Sequence, residues 1–131
     1  MSLEIENVKN LPLLKRQAML ACLVLISKVD GNQTDLELRE IHVHNQMILG
    51  LSSTQIKNSE LKPKDLAKVL NQMSEEELIV LGILMGKVAQ SDGIIDDKEL
   101  EWIHNFLKIG NLHVGAIAMV LLGVKKAANS N

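Results

Sequence analysis

The residues best suited to chemistry are carboxylates gathered beside two Asp-Gly pairs: Asp30-Gly31 followed by Glu37, and Asp92-Gly93 followed by Asp96 and Glu99. Carboxylate oxygens are ligands for hard cations. Calcium takes roughly six to eight oxygens at about 2.3–2.6 Å, and magnesium a tighter octahedron at about 2.1 Å. The chemistry these residues offer is therefore divalent-cation binding, with Asp92, Asp96 and Glu99 as the fuller ligand set and Asp30 and Glu37 as the poorer one.

The run Asp92-Gly93-Ile94-Ile95-Asp96-Asp97-Lys98-Glu99 has the spacing of the second half of an EF-hand loop, whose fifth, sixth, eighth, ninth and twelfth places fall on Asp92, Gly93, Ile95, Asp96 and Glu99. Val88 and Gln90 stand where the two leading carboxylates belong, so a full calcium loop is not expected. A weak calcium or magnesium site, completed by a backbone carbonyl, is what remains. The first loop departs further, with Ile26, Lys28, Gln33 and Thr34 at the corresponding places. Helix capping accounts for the same residues without an ion. Asp-Gly is a turn signal, Thr34 with Glu37 and Asp96 with Glu99 each make a capping box, and negative charge suits a helix N-terminus.

Other chemistry is thinly supported. His42 and His44 are two residues apart and point to different sides of a helix, and no histidine has the i, i+4 partner that a zinc pair wants. The single Cys22 lies in an apolar run and reads as a small buried hydrophobe. There is no Gly-rich phosphate loop and no nucleophile elbow, so no catalytic residue and no organic cofactor is expected. A net charge of −2, no dense Lys/Arg cluster and 2% aromatic residues argue against nucleic-acid binding.

The elements that must position the two loops are helices. In a chain of 131 residues, 47% hydrophobic, the near absence of aromatics leaves an aliphatic core of Leu, Ile, Val, Met and Ala, weighted toward good helix formers. Apolar spacing predicts helices over Leu13–Val29, from Leu36 to a stop at Gly50, over Asp97–Ile109 with a stop at Gly110, and over His113–Lys126. Ser52 or Ser53 caps a short turn through Ile56, Pro63 opens a helix to about Met73, and the capping box Ser74 with Glu77 starts a long one to about Gln90. The expectation is one all-α domain over residues 1–131, of about seven helices. No apolar stretch reaches the roughly 20 residues of a membrane span, and Glu4 and Glu6 precede any hydrophobic run, which points to a cytoplasmic protein.

A shift of 62 positions lays Asp30, Gly31, Glu37, Leu38, Ile41 and His42 on Asp92, Gly93, Glu99, Leu100, Ile103 and His104. Gly50 and Gly110 close the two units once a gap of two residues is allowed. The pattern reads as a duplicated helix, Asp-Gly loop, helix unit.

The paired Asp-Gly loops, each leading into a Glu-containing helix, resemble the TerB-like family, named for a tellurite-resistance protein. The segment Lys87-Val88-Ala89-Gln90-Ser91-Asp92-Gly93-Ile94-Ile95-Asp96-Asp97-Lys98-Glu99-Leu100 is close to that family's hallmark, and the likeness extends from about Leu14 to Leu112. The resemblance implies an all-helical fold, divalent-metal capacity through the acidic loop residues, roles in bacterial stress response near the membrane, and use as an interaction module, as in domains attached to J-domain co-chaperones. It carries over to Asp92, Asp96 and Glu99, and to Asp30 and Glu37 in the loop that departs from the pattern. The expected function is a non-catalytic helical module that binds a protein partner. The alternative is a structural or oligomerising domain without metal, suggested by the nearly uncharged stretch His113–Val124 with its small residues Gly115, Ala116, Ala118 and Gly123.

Overall fold

The computed structural model describes residues 4–28, 35–57, 61–90 and 97–129, the side chains of Gln90, Glu99 and Asn129 excepted. These residues form a 3-10 turn at Ile5–Asn10, then seven α-helices: α1 (Leu13–Lys28), α2 (Asp35–His44), α3 (Ser53–Lys57), α4 (Pro63–Asn71), α5 (Glu75–Gln90), α6 (Asp97–Ile109) and α7 (Val114–Asn129). A π-turn, Asn45–Leu49, continues α2. No strand occurs among the described residues. The predicted α5 and α6 have the observed bounds, whereas the helix expected to run unbroken to Gly50 instead loosens after His44.

The core is aliphatic. Met19 and Leu23 of α1, Leu81, Leu84 and Met85 of α5, and Val120 and Val124 of α7 are fully enclosed in one cluster with Leu49, Leu70 and Leu107. Burying each such side chain contributes about 1.5–3 kcal/mol. Most helix stability in a chain of this kind comes from that packing rather than from intrinsic propensity.

The tightest approach is between α5 and α7. A Cβ added at Gly82 would collide with the Val120 carbonyl oxygen, and one at Gly123 with that of Ile79. One turn along, a Cβ at Gly86 would lie 2.8 Å from that of Ala127. Small residues four apart on both helices therefore let the two backbones touch. Gly123 thus serves the core, as does the buried Ala116, while exposed Gly115 has nothing within 4 Å of where its side chain would be.

Local chemistry sets the ends. Ser74 Oγ accepts the Glu77 N–H at 3.1 Å and Glu77 Oε1 accepts the Ser74 N–H at 2.8 Å, the reciprocal capping box expected at the start of α5. Ser52 and Gln55 make the same exchange at α3, at 3.2 and 2.9 Å. α6 stops at Gly110 as expected, but through the conformation of the residue after it. Gly110 is not the left-handed residue; Asn111 is, at φ 63°. Its N–H reaches the Lys108 carbonyl at 3.1 Å and that of Leu112 the Leu107 carbonyl at 3.3 Å, which is a Schellman ending. The first unit ends instead at Gly50, φ 68°, whose N–H donates across five residues to the Asn45 carbonyl at 2.6 Å.

Candidate functional site

Of the five carboxylates that the sequence offers to a cation, Asp30, Asp92 and Asp96 lie outside the described residues, and Glu99 is placed only as the third residue of α6. Glu37, the third residue of α2, is 7% exposed and faces inward with Ile41 and His44, spaced to share one side of the helix. The capping box expected of Glu37 pairs it with Thr34, which lies outside the described residues. Among the described residues no three His, Cys, Asp or Glu side chains converge on a point where a cation would sit.

The helices bracket the two acidic loops alike. α1 ends at Lys28 and α2 begins at Asp35; α5 ends at Gln90 and α6 begins at Asp97. Across the 62-residue interval the paired helices share their starts, and α1 and α5 also share their ends. Only the far ends of the units disagree. The left-handed residues Gly50 and Asn111 stand 61 positions apart, one short of the interval between the helix starts, so the stretch up to Gly50 is one residue longer. A π-turn closes over one residue more than an α-turn, and the Asn45–Leu49 turn takes up that excess.

A second feature is an open groove of about 370 Å³ between α6 and α7. His104 and Lys108, one turn apart, make one wall, and Val114, Ile117, Ala118 and Leu121 make the other, with Leu112 between them. Val114 on that wall is 85% exposed, and Ile109, next in sequence to Lys108, is 81% exposed; both are large apolar side chains that water covers at a cost. Reading the sequence did not find this groove, because it is made by two helices whose turn, Gly110 to His113, sets their crossing. That turn is tied back to α4: Asn71 Nδ2 donates to the Asn111 carbonyl at 3.1 Å and its Oδ1 accepts the His113 N–H at 2.9 Å.

The histidines divide. His42, His104 and His113 are exposed, and the equivalent pair His42 and His104 share that condition. His44 is buried, and its Nε2 has no hydrogen-bond partner. Cys22 is fully enclosed and burial pushes its thiol up to about 12, so it is held as the neutral thiol, in keeping with a packing role.

No helix among the described residues is long and apolar enough to cross a membrane. Comparison with protein-family models, with curated proteins and with solved structures finds no match.

Proposed function

We propose that this chain is a non-catalytic, TerB-like helical module of the cytoplasm, built of two duplicated helix, Asp-Gly loop, helix units, that binds a protein partner and carries a weak calcium or magnesium site at its second loop. The observation that carries this reading is the unequal pair of connections. Residues 29–34 and 91–96 join helices that keep one 62-residue interval, yet the second holds Asp92 and Asp96 and leads to Glu99, more acidic groups than a turn requires. The resemblance of residues 87–100 to the TerB-like hallmark supports the same assignment, and with it a stress-response role in a membrane-proximal complex. The apolar groove between α6 and α7, with exposed Val114 on its wall and exposed Ile109 next in sequence to Lys108, supports a partner-binding role. Calorimetric titration of Ca²⁺ and Mg²⁺ into wild type and Asp92→Ala tests the metal site, and flat, identical titrations would remove it.

The second reading is an oligomerising domain without metal. It is favoured by the outward side of α7, where Val114, Gly115, Ala118 and Leu122 are exposed with no charged residue among them. Light scattering across a wide concentration range separates the two, since a monomer throughout removes self-association.

A further inference from the structure

His44 ends α2 where the helix loosens into the π-turn, and it is 5% exposed. Its Nε2 is buried without a hydrogen-bond partner, and the carboxylate nearest to pairing with it, Glu40 Oε1 one helical turn back, stands at 3.6 Å, beyond hydrogen-bond reach. The 62-residue interval places His44 opposite Phe106, which packs against the core of the second unit. One unit thus fills this place with a ring that never carries a proton, and the other with a ring that does.

The charged groups around His44 are few. Glu40 acts on it from its own helix and Lys87 from α5. The π-turn, Asn45–Leu49, holds no titratable residue. On α1, which also packs on α2, Lys15 is turned to Glu77, Arg16 donates to the carbonyls of Leu11 and Leu49 at 3.0 and 3.1 Å, and Lys28 is exposed. Burial holds the His44 imidazole below its ordinary value, against an upward pull from Glu40 and with a further downward push from Lys87.

We infer that His44 is an acid-sensitive latch: neutral, it lets the last turn of α2 pack against α5 and the π-turn that follows pack against α1 and the 3-10 turn, and once protonated it releases them by local opening. A protonated ring needs two acceptors and a counter-charge. This place offers one carboxylate, at ion-pair distance but short of a hydrogen bond, and an ammonium on the neighbouring helix that opposes the charge, whereas water outside satisfies both donors. The π-turn keeps its own clasp when it moves, because Asn45 exchanges hydrogen bonds with the backbone of Leu51 at 3.1 Å each way. Opening restores the imidazole to its ordinary range, so the open state binds more protons than the closed one. The opening constant therefore rises as pH falls below about 6.5, by at most about tenfold per pH unit, and is flat above it.

Amide hydrogen exchange between pH 5 and 8, corrected for intrinsic rates, tests this on the intact chain. Protection over residues 41–49 should be flat above neutrality and fall by up to tenfold per pH unit below about 6.5. His44→Phe, the second unit's own solution, should abolish the fall. The ring's titration, followed by NMR, should move down in Glu40→Gln and up in Lys87→Met, and the pH at which the fall in protection levels off should move with it in both, while the onset at about 6.5 stays put. Flat protection in wild type, or an unchanged fall in His44→Phe, overturns the latch. Should His44→Phe fail to fold, a levelling-off that does not follow the two charge variants overturns it equally.

Discussion

Lys15 Nζ lies 2.9 Å from each carboxylate oxygen of Glu77, and the two residues stand 62 positions apart, the interval that also separates the two Asp-Gly pairs. Where two like units pack about an approximate two-fold axis, the residues nearest that axis meet their own equivalents. In the two-unit reading this contact marks the place where α1 and α5 meet, bridged by a charge of one sign from each. Glu77 is mostly buried there and serves twice, because the oxygen that Lys15 reaches also caps α5 through the Ser74 N–H.

That double use predicts unequal costs. Glu77→Ala removes the capping box and leaves Lys15 without its partner, and should destabilise the fold by about 2 kcal/mol in urea unfolding at neutral pH. Lys15→Met removes only the partly exposed ion pair and should cost about 1 kcal/mol or less. Equal losses would show that the cap contributes nothing.

The same carboxylate sets an acid limit. Burial pushes Glu77 up, but the Ser74 backbone, the Lys15 ammonium and the Ser74 hydroxyl together hold it below its ordinary value. Its folded form thus binds protons less readily than the unfolded chain. The stability it contributes is fully present above the ordinary glutamate range and is lost as pH falls through that range to the depressed value. Unfolding midpoints measured from pH 6 down to pH 2.5 should fall less steeply in Glu77→Gln than in wild type.

Small residues on α5 and α7 should differ sharply. Gly82→Ala and Gly123→Ala force backbones apart where a Cβ has no room, and each should cost about 3 kcal/mol. Gly115→Ala meets open space in a helical position and should be neutral or stabilising by up to about 0.5 kcal/mol. Thermal unfolding of the three variants decides this, and a loss at Gly115 matching that at Gly82 would contradict the packing described.

The end of α6 gives a further check. Asn111 holds a left-handed conformation in the Schellman ending, so Asn111→Ala should lose about 1 kcal/mol while Asn111→Gly should hold or gain stability. Chemical denaturation is sufficient to tell them apart.

Much of this fold was legible because its signals are local. Ser74 with Glu77 and Pro63 mark their helix starts through groups one turn away, and the observed helices obey them. The apolar period likewise placed α6 at its observed bounds and carried α5 to about its observed end. What escaped depends on partners distant in sequence or on unusual backbone. The 3-10 turn Ile5–Asn10 exists to seat Val8 in the core, which no period of 3.6 announces. Gly82 and Gly86 are visible as a pair, but their meaning lies in Gly123 and Ala127 on another helix. The π-turn has no signal in the apolar pattern from Leu36 to Gly50, and the left-handed residue after α6 is Asn111 where the sequence offered Gly110. The candidate site was legible as residue types only. Asp92, Asp96 and Glu99 offer oxygen atoms by residue type alone, while the inward burial of Glu37 depends on how α2 lies against its neighbouring helices.

The most direct measurement is calorimetric titration of Ca²⁺ and Mg²⁺ into wild type, Asp92→Ala and Asp30→Ala at matched ionic strength. Binding heat in wild type that disappears in Asp92→Ala and persists in Asp30→Ala is the predicted result, since the second loop alone keeps enough carboxylates to hold an ion. Wild-type titrations without heat, or heat that survives in Asp92→Ala, would contradict a metal site at the second loop.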